Sequence, residues 1–88
     1  MRRLAIALVL ILAAVPASAL QRCKVTDPTG TPLNVRNLDM EIVGTIENGE
    51  IVLVKRSSTD KRGKAWVLVE TPEGENIGWV YREFISCF

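Results

Sequence analysis

The four residues Leu33-Asn34-Val35-Arg36 alternate between apolar and polar side chains. Successive side chains of an extended strand point to opposite faces, so Leu33 and Val35 share one face while Asn34 and Arg36 share the other. The apolar face predicts a short strand that packs on a core. On the polar face, the Asn34 amide could either bond backbone groups of the neighbouring loop or face a ligand.

Arg36 has three possible roles on that face. It could pair with Asp39 or Glu41, stack on an aromatic ring, or face a ligand carboxylate, because a guanidinium suits all three partners. The sequence leaves these open.

Similar short apolar runs recur on both sides of this stretch, without a sustained helical period. Turn signals separate them, among them Asn48-Gly49, which tolerates the positive φ values of a tight hairpin. The predicted strands cover residues 22–25, 33–36, 42–46, 51–54, 65–70 and 77–81, with a final short piece at 84–87. This pattern predicts an all-β fold, a small partly open barrel of five to six strands with at most one short helical turn.

Residues 1–19 have the layout of a secretory signal peptide. Arg2-Arg3 precedes an apolar run over residues 4–14, Pro16 breaks the run, and Ala17-Ser18-Ala19 follows. We expect cleavage after the last of these alanines, which leaves one domain over residues 20–88. The domain is then periplasmic or secreted.

Two kinds of membrane attachment are the alternatives. A retained transmembrane anchor is disfavoured, because the apolar run is shorter than the roughly 20 residues of a spanning helix. A lipid anchor on Cys23 is disfavoured by the bulky Gln21 and charged Arg22 before it. No stable membrane insertion is expected after cleavage.

Cys23 and Cys87 lie near the two ends of the exported domain. Paired thiols persist in an oxidising compartment, so we predict a disulfide between them, which brings both ends together. Free thiols or a metal site are the alternatives, and two cysteines without a histidine make a poor ligand set. On the chain-entropy model, the bridge stabilises so small a domain by roughly 4 kcal/mol.

The charge of the exported domain is nearly balanced. Residues 20–88 contain nine Lys and Arg against ten Asp and Glu, a net charge of −1, so nucleic-acid binding is not expected. The exception is residues 55–64, where five basic residues crowd together. This segment could be a solvated polar loop or a loop that attracts anions.

All five aromatic residues fall late in the chain, and apart from Phe88 they are Trp66, Trp79, Tyr81 and Phe84. Alternation places Trp66, Trp79 and Tyr81 opposite the valines that fill the barrel, so their rings line its outside or rim. We expect Trp66 and Tyr81 to be partly exposed, while Trp79 is either a binding residue or a lid over a thin core. The candidate ligand face comprises Trp66, Trp79, Tyr81, Phe84, Arg36 and Asn34.

The sequence offers little for catalysis. It has no histidine, and neither the serines nor the lysines have an activating partner. Glu73 and Glu75 flank Gly74 in a predicted exposed turn, which suits solubility rather than glycoside hydrolysis. We expect no enzyme activity, no cofactor and no metal.

The ordered motifs resemble the bacterial type of Src homology 3 domain. In that family a Leu-Asn-Val-Arg core is followed by short β motifs that end in a Gly-Trp-Val segment and an aliphatic or aromatic pair. The matching segments here are Leu33-Asn34-Val35-Arg36, Val43-Gly44-Thr45-Ile46, Gly49, Val52-Leu53-Val54, Trp66-Val67-Leu68-Val69, Gly78-Trp79-Val80 and Phe84-Ile85. They cover nearly all of the exported domain.

The chain also departs from the family pattern. Leu38-Asp39-Met40 stands where the family often has a Gly-Pro pair, and Tyr81 stands where eukaryotic relatives have a groove proline. Recognition of polyproline is therefore not implied. What the resemblance implies is an SH3-like, non-catalytic barrel that binds cell-wall peptides or other proteins.

These observations predict an exported binding module for a peptide, which could be a cell-wall stem peptide of peptidoglycan. The alternative is an accessory or regulatory subunit, stabilised by its disulfide, that docks on an envelope protein. A monomer is expected in either case.

Overall fold

The computed structural model describes residues 20–88, and the predicted signal peptide lies outside them. Seven strands form one sheet of antiparallel neighbours. They are β1 (Gln21–Val25), β2 (Leu33–Arg36), β3 (Ile42–Ile46), β4 (Ile51–Thr59), β5 (Ala65–Glu70), β6 (Asn76–Tyr81) and β7 (Ile85–Cys87). Their order across the sheet is β3-β2-β6-β5-β4-β1-β7.

The all-β prediction is confirmed, but the expected count of five to six strands was too low. The final piece of chain is a true strand, because β7 pairs with β1 through three residue pairs from Cys23–Cys87 to Val25–Ile85. One 3₁₀ turn, Arg82–Phe84, links β6 to β7.

The basic segment after Val54 is not simply a loop. β4 continues to Thr59, since Arg56 through Thr59 pair with Leu68 through Ala65 of β5. This pairing gives the backbone polar groups partners while the polar side chains stay exposed, so a strand was possible without an apolar pattern. A register shift between Val54 and Arg56 marks where the strand passes from its buried half to its exposed half.

The core lies on one face of the curved sheet. Alternate residues of the strands supply it, as the two-residue period requires. Its buried members are Cys23, Val25, Leu33, Val35, Ile46, Val52, Val67, Val69, Val80 and Ile85.

The predicted disulfide is present and joins the first and last strands. Cys23 and Cys87 are directly opposite in the β1–β7 pair and are 64 residues apart in sequence. The sulfur of Cys23 is part of the buried core, so the bridge fixes both chain ends to the packed face.

Gly78 allows β2 and β6 to approach each other closely. It adopts φ +147°, and a Cβ built there would lie 2.6 Å from Cγ1 of Val35 and 3.1 Å from the carbonyl oxygen of Arg36. Only glycine leaves room for this contact. The next residue, Trp79, is thereby placed opposite Arg36.

Candidate functional site

The face of the sheet that points away from the core carries a row of side chains across four strands. Arg36 of β2 is opposite Trp79 of β6, Trp79 is opposite Leu68 of β5, and Leu68 is opposite Arg56 of β4. Trp66 and Tyr81 form the adjacent cross-strand pair. We call this surface the outer face.

Trp66 lies on the outer face, but it is not exposed. Only 4% of its surface is accessible, so the expected partial exposure was wrong. The Tyr81 ring covers it at a centroid distance of 4.1 Å, and its Nε1 donates a hydrogen bond to Oδ2 of Asp60 at 2.9 Å. The alternation of side chains along β5 predicted the correct face for Trp66, whereas its burial is due to Tyr81 and Asp60.

Asp60 holds the tip of the β4–β5 hairpin and was missed in the sequence. Its Oδ1 accepts hydrogen bonds from the backbone amides of Arg62 and Lys64, both at 2.9 Å. The hydrogen bond from the Trp66 indole, followed by these amide contacts, holds the pKa of this carboxyl below its ordinary value.

In the same hairpin, the side chains of Arg62 and Lys64 both make contacts at or near Tyr81. Arg62 donates from Nη2 to the Tyr81 hydroxyl at 3.0 Å, and this hydrogen bond raises the pKa of the guanidinium. Nζ of Lys64 lies 5.4 Å from the Tyr81 ring centroid and 2.7 Å from a carboxylate oxygen of Glu83, which raises the pKa of the Lys64 amine. These contacts leave Arg62 and Lys64 poorly placed to attract an anion.

Within residues 20–88, Arg36 forms no ion pair with Asp39 or Glu41 and lies over no aromatic ring, so two of its three expected roles were wrong. Its Nη1 donates to the carbonyl oxygen of Met40 at 2.6 Å, which ties β2 to the loop before β3. Asn37 stabilises the same loop, since its Oδ1 accepts from the backbone amides of Asp39 and Glu41. The β2–β3 loop is therefore stabilised by hydrogen bonds from Arg36 and Asn37.

The Asn34 side chain is exposed and makes no hydrogen bond within residues 20–88. The expectation that it bonds the neighbouring loop was wrong. Asn48 does so instead: its Oδ1 accepts from the amide of Asp27 at 2.6 Å and its Nδ2 donates to the carbonyl of Thr31 at 3.0 Å.

A groove runs over the outer face beneath the β2–β3 loop. One depression of about 220 Å³ lies between Met40 and the end of β4, and a wider one of about 540 Å³ lies over Leu68 and Ile77. Leu38 and Trp79 line both depressions, so the two are adjacent. We call this the outer groove; its apolar lining comprises Leu38, Met40, Val43, Trp66, Leu68, Ile77 and Trp79.

Five of the six predicted ligand residues lie on the outer face and Phe84 lies in the 3₁₀ turn, and the six divide between the outer groove and a separate depression. Trp79 lies in the outer groove. Asn34, Tyr81 and Phe84 line a smaller depression of about 120 Å³, and Trp66 and Arg36 border both. Phe84 also packs against the core and meets Tyr81 edge to face, with centroids 5.9 Å apart.

Sequence reasoning missed Leu38 and Leu68 as lining residues. For Leu68 the signal was present, because it lies two residues after Trp66 on the same strand and shares its face. Leu38 is an apolar residue in a turn with 84% of its surface exposed, and only the path of the loop places it over Trp79.

Within residues 20–88, no three side chains of His, Cys, Asp or Glu come together as a metal site. In the same range, no helix has the length and apolar character needed to cross a bilayer.

The chain matches no protein-family model, no curated protein and no solved structure.

Proposed function

We propose that the chain is an exported, non-catalytic binding module, built as an SH3-like barrel, that holds an extended peptide in the outer groove. The observation that carries the proposal is the position of Trp79. Its half-buried ring forms the floor shared by both depressions, between Leu38 above and Leu68 beside it. An aromatic ring in such a groove offers large contact area at little cost in conformational entropy.

The dimensions and polarity of the groove favour a peptide. The combined depressions can take several side chains of an extended segment, and the apolar lining suits aliphatic ones. Arg56 lines the wide depression and takes part in no ion pair or hydrogen bond with another side chain of residues 20–88. A carboxylate on the ligand would supply its partner. A cell-wall stem peptide is one such ligand.

Export is supported by two features. The layout of residues 1–19 is that of a signal peptide, and the Cys23–Cys87 disulfide requires an oxidising compartment to persist. Both favour the periplasm or the outside of the cell, where peptidoglycan is available.

The two tryptophans make the proposal testable by fluorescence. In the variant Trp66→Phe only Trp79 reports, and in Trp79→Phe only the buried Trp66 reports. We expect titration with muropeptides to shift the emission of the first variant and not the second. We also expect the unaltered protein to sediment with peptidoglycan sacculi. No emission change in either variant, together with no binding to sacculi, would refute a cell-wall ligand.

The second candidate is an accessory subunit that docks on an envelope protein. The exposed apolar residues Leu38, Ile42 and Val43 favour it, because they extend from the groove to the edge of the sheet. Affinity capture from an envelope extract separates the two candidates: a stoichiometric protein partner that survives muramidase treatment favours the subunit.

A further inference from the structure

Within residues 20–88, β3 forms one edge of the sheet and pairs only with β2. Its sequence, Ile42-Val43-Gly44-Thr45-Ile46, contains no charge and no proline. A charged residue or a proline on an edge strand is what usually prevents that strand from pairing with another chain. The opposite edge, β7, is only three residues long and carries the disulfide. The β3 edge is therefore less protected against pairing with another chain than the β7 edge.

Exposed apolar side chains concentrate beside the β3 edge. Five large hydrophobic residues are exposed within residues 20–88, and four of them fall between positions 38 and 43: Leu38, Met40, Ile42 and Val43. Ile42 and Val43, on the strand itself, are 54% and 57% exposed. A neighbouring strand would cover them.

The pairing with β2 shows which part of β3 is regular. Val35 pairs with Gly44 and Arg36 pairs with Ile42, so Val43 is an extra residue at a bulge. From Gly44 to Ile46 the register is continuous. This end of β3 can extend the ladder, and at the other end Ile42 and Val43 are exposed beside the bulge.

The segments that flank β3 in sequence carry only acidic charges, whereas Arg36 of the neighbouring β2 pairs with Ile42 and donates its Nη1 to the Met40 carbonyl oxygen. Residues 37–54 contain four acidic residues and no basic one, with Asp39 and Glu41 before the strand and Glu47 and Glu50 after it. None of the four belongs to the three ion pairs found within residues 20–88. Two copies of β3 paired symmetrically would bring these acidic ends together, and like charges oppose that arrangement.

We propose that the β3 edge accepts an extended, apolar strand of another protein that is flanked by Lys or Arg. The added strand would become the eighth of the sheet. Its backbone would complete the ladder, its apolar side chains would cover Ile42 and Val43, and its cations would pair with Glu41 and Glu47. This surface adjoins the outer groove, which Val43 also lines, but the strand would add at the sheet edge and not over Trp79.

Designed peptides test the proposal directly. The probe is an alternating Val and Thr peptide of five residues with two Lys at each end, and its matched control carries Glu in place of every Lys. We expect the Lys-flanked peptide to shift the backbone amide signals of residues 42–46 in two-dimensional NMR spectra. We expect the Glu-flanked peptide to bind about tenfold more weakly or worse.

Backbone methylation distinguishes strand addition from simple charge attraction. Successive backbone amides of a strand point to opposite edges of that strand. Two Lys-flanked peptides are therefore compared, one methylated on the amides of one edge and the other methylated on the amides of the opposite edge. We expect one of the two to lose binding and the other to retain it. Equal binding of both, or no binding of the unmethylated peptide, overturns the proposal.

Variants of the protein complete the test. The double substitution Glu41→Lys and Glu47→Lys should reverse the preference between the Lys-flanked and Glu-flanked peptides, whereas Trp79→Ala should leave it unchanged. A preference that persists in the first variant, or is lost in the second, contradicts the proposal. Sedimentation of the free protein as anything but a monomer would assign the edge to a second copy instead.

Discussion

The indole Nε1 of Trp66 donates a hydrogen bond to Oδ2 of Asp60 at 2.9 Å, which joins the middle of the sheet to the tip of the β4–β5 hairpin. Tyr81 covers the same indole from β6. Both contacts bury a ring on the outer face and fix the wall of the outer groove at the end of β4. The Asp60 carboxylate is therefore important both for stability and for the shape of the site.

Stability should fall in acid through Asp60. Its pKa in the folded state is held below the ordinary value of 3.8, first by the Trp66 hydrogen bond. A carboxyl with a lowered folded pKa stabilises the protein above its unfolded pKa, and this contribution is lost as the pH falls through the folded value. We expect urea midpoints to drop below about pH 4, and Asp60→Asn to show a smaller drop.

The control for this measurement is Glu73→Gln in the exposed turn between β5 and β6, whose carboxylate accepts no hydrogen bond within residues 20–88. It should follow the unaltered protein at every pH. An acid dependence that is the same in Asp60→Asn as in Glu73→Gln would contradict the role of the indole contact.

Gly78→Ala should destabilise the fold. The new Cβ would meet Val35 and the Arg36 carbonyl at the β2–β6 contact, and alanine rarely adopts φ +147°. We expect a loss of roughly 1–3 kcal/mol in the free energy of unfolding from overpacking. Gly44→Ala on β3 is the matched control, since no atom lies within 4 Å of its added Cβ. Equal urea midpoints for the two variants would refute the close contact.

Removal of the disulfide should cost more than either glycine change. Cys23 and Cys87 close a span of 64 residues, for which the chain-entropy model gives roughly 4 kcal/mol. The double variant Cys23→Ala and Cys87→Ala should therefore be largely unfolded or have a much lower urea midpoint. Alkylation of both cysteines in the folded, unreduced protein would show instead that no bridge exists.

Leu38→Ser should separate binding from folding. Leu38 is 84% exposed, so we expect its replacement to change the free energy of unfolding by less than about 0.5 kcal/mol. The side chain lines both depressions of the outer groove, and losing part of its apolar contact with a ligand should weaken binding about fivefold, or roughly 1 kcal/mol. Affinity equal to that of the unaltered protein would exclude Leu38 from the site.

The sequence predicted the fold better than the site. Alternating side chains placed Leu33 and Val35 inside and Trp66 outside the core, because the two-residue period depends only on local geometry. The burial of Trp66 could not be predicted, since it depends on Tyr81 of a neighbouring strand and on the hairpin-tip conformation that brings Asp60 to the indole. For the same reason, the extension of β4 was missed. Its exposed side chains have no apolar pattern, and only pairing with β5 makes it a strand.

The most direct test of the account follows the two tryptophan indole N–H signals by NMR during titration with a muropeptide. The Trp79 signal should move with ligand concentration, along with the backbone amides of Leu38 and Leu68. The Trp66 signal, fixed by Asp60, should move much less. Movement of Trp66 and Tyr81 without Trp79 would place the ligand in the smaller depression and contradict the proposed groove.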